Sequence, residues 1–250
     1  LLPALQQARA STQRLDCKHR MRQLGIALHQ YHEMHGRLPA GSYVLGPSFP
    51  TQTGWGWGAM VLPFVDQAPL FTQIDFDRGT SVGPNSATIL SPVTLWRCPS
   101  DPSPVHITVT TPGGEIYKTS TGNYVGVEGL LKEMSSIRFD QVLDGLSHTL
   151  LLGERVYQPK VSGSGEFTSS WCGNLASAGS YVFNSIPHLA ASPVHPINES
   201  LLYPHCFSSR HGGGANFALG DGAVRFVSQT VDGNVFRALG TRDQGEVVDF

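Results

Sequence analysis

The chain has 250 residues, a formal net charge of -2, and 40% hydrophobic and 9% aromatic residues, enough apolar mass for one large globular domain or two small ones. Its 17 lysines and arginines are spread thinly, so no basic stripe is available to neutralise a phosphate backbone and nucleic acid is not an expected partner. With 28 glycines, 17 prolines and only 14% charged residues, the composition predicts short strands, long loops and few helices after the first.

The sequence starts without methionine, in LLPALQQARASTQRLDCKHRMRQLGIALHQYHEMHG, with a helical pattern already under way. It reads as a piece of something longer, from which a targeting signal could have been removed. No run of about 18 apolar residues follows, so no membrane-spanning helix is expected in these residues. From Leu2 to about His35 the breakers are Pro3, tolerated in a first turn, and Gly25, which costs roughly 1 kcal/mol of helix propensity. Cys17, Met21, Leu24, Leu28 and Tyr31 recur at steps of four and three, one apolar stripe that must lie on the rest of the domain. Gly36 supplies a cap and Pro39 prevents resumption.

His29, His32 and His35 lie on this helix at every third position. Each step of three turns the side chain by about 60 degrees, so the three imidazoles fan out. His35 is expected in the centre of the stripe, His32 at its border and His29 on the outer face. The string is HExH, not the HExxH that puts two histidines on one zinc ion. Histidines that hydrogen-bond the sheet or the next loop are the better reading.

Trp57 to Val65 forms an apolar segment broken near Pro63, followed by a short helix around Pro69 to Ile74. Trp55, Trp57, Phe64 and Phe71 are expected in the core; exposed, they would instead form a carbohydrate platform. VTLWRCPSDPSPVHITVTTPGGEIYKTSTGNYVGVEG reads as strand, Pro-rich loop, strand, Gly-Gly turn, strand, with Ser100-Asp101-Pro102 a turn after Cys98. IRFDQVLDGLSHTLLLGERV contains a helical turn, an Asp144-Gly145 turn and an apolar strand ending at Glu154. Residues 157–207, with Trp171 and His188 among polar, Gly-rich and Pro-rich stretches, read as a long surface insertion of the kind that carries functional variation. Ala215 to Leu219 and Ala223 to Val227 are strands around Gly220-Asp221-Gly222, a strong hairpin signal. A last helix is expected from Asp232 to Leu239.

Cys17, Cys98, Cys172 and Cys206 include no CxxC pair, so a zinc knuckle or thioredoxin-type site has no support. Two disulfides, which would require an oxidising compartment, and four buried thiols both remain open, as do three connectivities. HExxH and P-loop motifs are absent from the sequence, and no catalytic residues are assigned.

Seven strings in order, LLPALQQAR, CKHRMRQLGIALHQYHEMHGRLPAG, GWGWGAMVLPFVDQAPLF, LWRCPSD, NYVGV, DGLSHTLLLGER and RHGGGANFALGDGAVRFVS, resemble a large family of prepilin-like envelope proteins of unknown function, similar to the type II secretion pseudopilin G. That family carries a C-terminal signature of His, nine residues and Asp-Gly, matched here by His211, Asp221 and Gly222. The resemblance implies that residues 1–36 are the C-terminal half of a pilin-like helix whose apolar half is missing, and that residues 37–250 are the globular domain. It implies an inner-membrane anchor through the missing segment, a domain in the periplasm or on the cell surface, and other pilin-like subunits as helix partners. It also implies disulfides pairing Cys17 with Cys98 and Cys172 with Cys206. Closing the first loop, of about 80 residues, would contribute on the order of 4 kcal/mol.

The expected fold is α+β: the long helix packed on an antiparallel sheet built mostly from residues 90–230, with a loop insertion at about 157–207. The expected function is a non-catalytic pilin- or pseudopilin-like subunit of an envelope filament or secretion-type assembly. A second reading is an anchored binding module for polysaccharide or another extracellular ligand, with Trp55, Trp57, Trp171 and Tyr181 as its platform. A third is a metal site drawn from Asp144, Glu154, His211 and Asp221, either that of a hydrolase or one for a structural calcium ion; no other cofactor is expected. Full extension would put His211 and Asp221 more than about 20 Å apart, so the three glycines between them would have to fold back.

Overall fold

Helix α1 runs from Leu2 to His35 in a computed structural model that describes residues 2–43, 54–110, 116–161, 165–173, 190–199 and 206–245. It stops where the sequence signals a stop: Gly36 has φ +70 and returns its N–H to the His32 carbonyl at 2.8 Å, the left-handed cap that glycine adopts without a Cβ penalty. The helix has 34 residues and is therefore about 51 Å long. Its two halves differ. Residues 4–12 are exposed, whereas Cys17, Met21, Leu24, Ala27 and Leu28 are fully buried.

Four-residue helical turns α2 (Trp57–Met60), α3 (Ala68–Phe71) and α4 (Asn85–Thr88) follow. An antiparallel ribbon is formed by β1 (His106–Thr110) and β2 (Ile116–Ser120). Then come β3 (Tyr124–Val127), β4 (Leu150–Glu154), a second ribbon of β5 (Gln158–Val161) and β6 (Gly165–Phe167), the short β7 (Ala190–Ala191), the hairpin β8 (Gly214–Leu219) and β9 (Val224–Ser228), and helix α5 (Gly233–Ala238). The main sheet has the order β7-β3-β4-β8-β9 and is antiparallel except for the β3–β7 edge. The α+β expectation holds.

Both faces of the sheet are covered, which is why β3, β4 and β8 are buried throughout instead of alternating. On one face the α1 stripe packs with Trp55, Trp57, Trp96, Trp171, Leu152 and Ala218. On the other, Phe207, Phe217 and Phe236 meet edge to face among Val125, Leu150, Leu219 and Leu239. Asp232, expected as the first residue of the last helix, instead caps α5 by accepting from the N–H groups of Asn234 and Val235.

Four expectations are corrected. The stretch around Trp96 is a 3-10 turn, Thr94–Trp96, so Cys98 lies in a loop and not on a first strand. Residues 157–207 are not simply a surface insertion: Thr168, Ser169, Ser170, Trp171 and Cys172 are almost fully buried, because Trp171 fills the core and donates to the Ser91 carbonyl at 2.9 Å. His35 is exposed, since α1 overruns the core by its last turn and the ring rests on Tyr31. His29 is half-buried, not outward, because the β8–β9 hairpin reaches over it and its Nε2 contacts the Gly220 carbonyl at 2.9 Å. His32 accepts from the Phe139 N–H at 3.1 Å and stacks on that ring. These are histidines that serve the loop and the hairpin, as the HExH spacing suggests.

Candidate functional site

The densest chemistry lies between α1, the Cys98 loop and the sheet. Glu154 ends β4 on the same face as Leu152, toward α1, and is only 2% exposed. A buried carboxylate needs compensating donors, and Asn216 in β8 supplies two: its N–H at 2.8 Å and its side-chain amide at 2.9 Å. His211 precedes β8 and is also buried. Its Nε2 stands 3.3 Å from Glu154 Oε1 and 3.7 Å from Cys98 Sγ. Cys98 is joined to Cys17 of α1 by a disulfide.

The surroundings hold each member in place. Asn123 accepts from the Cys98 N–H at 2.8 Å and donates to Asp101 and to the Arg155 carbonyl. Asp101 also accepts from the Tyr157 N–H at 2.7 Å; burial raises its carboxyl above the ordinary value despite those bonds and despite Arg210 and Arg97 nearby. Tyr124, opposite Glu154 in the β3–β4 register, donates to the Cys17 carbonyl at 3.1 Å. Burial, and then the Glu154 charge, push its hydroxyl well above the ordinary range, so it stays a neutral donor. The Ser209 hydroxyl accepts from the His211 N–H at 3.1 Å.

Of the four residues expected to form a metal site, the fold brings only Glu154 and His211 together. Asp221 is exposed and accepts from the Ala223 N–H within its own hairpin, where Gly222 takes φ +83. Asp144 is buried and spends its carboxylate on Thr241, Gln244 and Gly245, tying down the segment after α5. The ten-residue step from His211 to Asp221 holds them apart because β8 lies extended between them. What the sequence reading missed is that Cys17 and Cys98 complete the group: the Sγ atoms, a Glu154 oxygen and a His211 nitrogen all lie within 4.8 Å of one another. No short-range spacing could show this, since the four residues come from a helix, a loop, a strand and a strand approach.

The expected Cys172–Cys206 disulfide is absent; both are buried free thiols. Cys172 sits with Ser170 and Thr119, and Cys206 beside Arg155, whose Nε donates to its carbonyl. Burial raises both thiols, Cys206 to about 11, and lowers Arg155 to about 9. The aromatic platform is also corrected: Trp55, Trp57 and Trp171 are at most 1% exposed, because they fill the space between α1 and the ribbons. Tyr181 and His188 lie outside the described residues.

The same strand also fixes α1 at a second point. Cys17 is held at the His211 end of β8, and His29 at the Gly220 end. The helical rise between those two residues, about 18 Å, matches the length of a six-residue strand, about 20 Å. Arg14, with its guanidinium 3.6 Å from the Phe226 ring centroid, and Arg20, donating to the Thr94 carbonyl at 2.8 Å, add contacts near the Cys17 end.

A family described as protein of unknown function (DUF1559) matches residues 6–234. No curated protein and no solved structure matches the chain.

Proposed function

The chain belongs to the DUF1559 family, and on that premise we propose that it is a non-catalytic, pilin-like subunit of a cell-envelope assembly. One observation carries the reading: α1 is divided into a part clamped to the sheet from Cys17 onward and an N-terminal stretch, residues 4–12, that is exposed with respect to the rest of the structure. A helix polar or mixed on every side, as residues 4–12 are, gains little stability alone in water. Neighbouring helices are its natural stabilisers. In this proposal the exposed half associates with the helices of other subunits and with an apolar continuation in the inner membrane. The disulfide and the His29 contact then transmit load from that helix into the sheet.

The buried cluster supports a structural role over a catalytic one. Both Glu154 oxygens are engaged by Asn216, and a disulfide offers no thiolate nucleophile. The binding-module reading loses its three tryptophans to the core.

The test is to recover the native protein from its source cells. The reading requires it in the membrane fraction, with a mature N-terminal peptide that continues α1 into about 20 apolar residues. Recovery wholly in the soluble fraction would overturn the assembly role and favour a secreted domain.

A further inference from the structure

We propose that reduction of the Cys17–Cys98 disulfide turns this cluster into a four-ligand site for a divalent zinc-type ion, held by the two cysteines, His211 and Glu154, so that a metal replaces the covalent staple. The proposal does not depend on the assembly reading. It rests on four ligand atoms converging in one buried place: two sulfur atoms, an imidazole nitrogen and a carboxylate oxygen within 4.8 Å of one another.

Tetrahedral zinc, with bonds of about 2.0–2.3 Å, sets its donor atoms roughly 3.3–3.8 Å apart. Two of the required separations already exist: His211 Nε2 to Glu154 Oε1 at 3.3 Å and Cys98 Sγ to His211 Nε2 at 3.7 Å. Of the other four separations among the donors, three lie within 4.8 Å and need only close by about an ångström at most, and the two sulfur atoms must part, which only cleavage of their bond allows. Second-sphere contacts of the kind that orient metal ligands are in place: Asn216 holds Glu154 by two bonds, and Asn123 holds the Cys98 backbone.

Thiolate and imidazole donors select zinc or cobalt(II) over calcium or magnesium, which prefer all-oxygen shells. Four protein ligands leave no open position, so the site would be structural. The exchange balances in two steps. A dithiol reductant gives two electrons and two protons to the S–S bond, itself becoming a disulfide and leaving Cys17 and Cys98 as thiols. The ion then displaces both thiol protons to solvent as it takes the two thiolates. A disulfide oxidant of the same class reverses the sequence and expels the ion. Either state ties α1 to the sheet through the same residues, and the two exclude each other.

The experiment uses the full chain, oxidised or reduced with a phosphine under anaerobic conditions, titrated with Co2+ alone and then Zn2+. The reduced protein should take up one Co2+ per chain, with the visible bands of a tetrahedral ion and a thiolate charge-transfer band, both bleached by Zn2+. The oxidised protein should show neither. Glu154→Gln and His211→Gln should each weaken Co2+ binding at least tenfold, while Cys172→Ser with Cys206→Ser should leave the spectrum unchanged. If these variants fold poorly, the wild-type comparison suffices: Zn2+ should raise the thermal midpoint of the reduced chain and not that of the oxidised chain. Equal binding by both redox states, dependence of the spectrum on Cys172 and Cys206, or a reduced chain that Zn2+ neither binds nor stabilises would each overturn the proposal.

Discussion

Replacing Cys17 and Cys98 together by alanine removes the covalent tie between α1 and the sheet. The cysteines are separated by 81 residues, and closing a loop of that length in the unfolded chain is worth about 4.5 kcal/mol in the chain-entropy model. Against a typical domain stability of roughly 5–15 kcal/mol, that loss would leave the variant close to unfolding. Urea titration followed by tryptophan fluorescence suits the measurement, because Trp55, Trp57, Trp96 and Trp171 are all buried and report on the core that α1 covers. The midpoint should fall sharply. The slope should rise, since the uncrosslinked unfolded chain exposes more surface. Wild-type protein reduced in the presence of a chelator should behave the same way. A loss below about 1 kcal/mol would refute the reasoning and show that the unclosed loop is already held by other contacts.

Glu154→Leu should be more damaging than its size suggests, because it strands the buried amide of Asn216 and leaves His211 without its carboxylate; about 3 kcal/mol is expected by chemical denaturation. Gly153→Ala should cost about 2 kcal/mol by the same assay, since its methyl group would lie 2.4 Å from the Phe207 ring and 2.7 Å from that of Phe217. His32 is held below its ordinary value of 6.5 by burial and then by His29, so the folded state binds fewer protons than the unfolded state. Its contribution is therefore complete above pH 6.5 and is lost as pH falls through the lowered folded value. Thermal midpoints should drop with acidification over that window, and less so in His32→Gln, whose amide can still accept from Phe139.

Elements defined by short-range chemistry were readable from the sequence. Helix α1 shows its stripe and its Gly36 stop, the β8–β9 hairpin its Gly220-Asp221-Gly222 turn, and the last helix its place after Asp232. What escaped depends on contacts between distant segments. Residues 168–173 look polar, yet they are core because Trp171 enters under α1 against Gly58, where an added Cβ would lie 2.4 Å from the Trp171 carbonyl oxygen. The tryptophans of GWGW were expected in the core, and the packing around them places them there. The site was half legible. Glu154 at the end of an apolar strand demands a buried partner, and His211 was named with it. Asp144 and Asp221 instead satisfy their own turns, as aspartates beside glycine commonly do. Cys17 and Cys98 carry no ligand spacing of their own, so their place beside Glu154 and His211 emerges only when helix, loop and sheet meet.

The central claim is that the exposed half of α1 is an assembly surface, and site-specific photo-cross-linking in the source cells tests it most directly. A photoreactive residue would be placed in turn at positions from Leu5 to Thr12, and at the exposed Ile26 and Met34 as controls on the clamped half. The account predicts adducts to a second copy or to another helical subunit at positions between 5 and 12, recurring with helical period, and none at Ile26 or Met34. Absence of adducts along the whole of α1, with cross-links arising only from the globular surface, would contradict it.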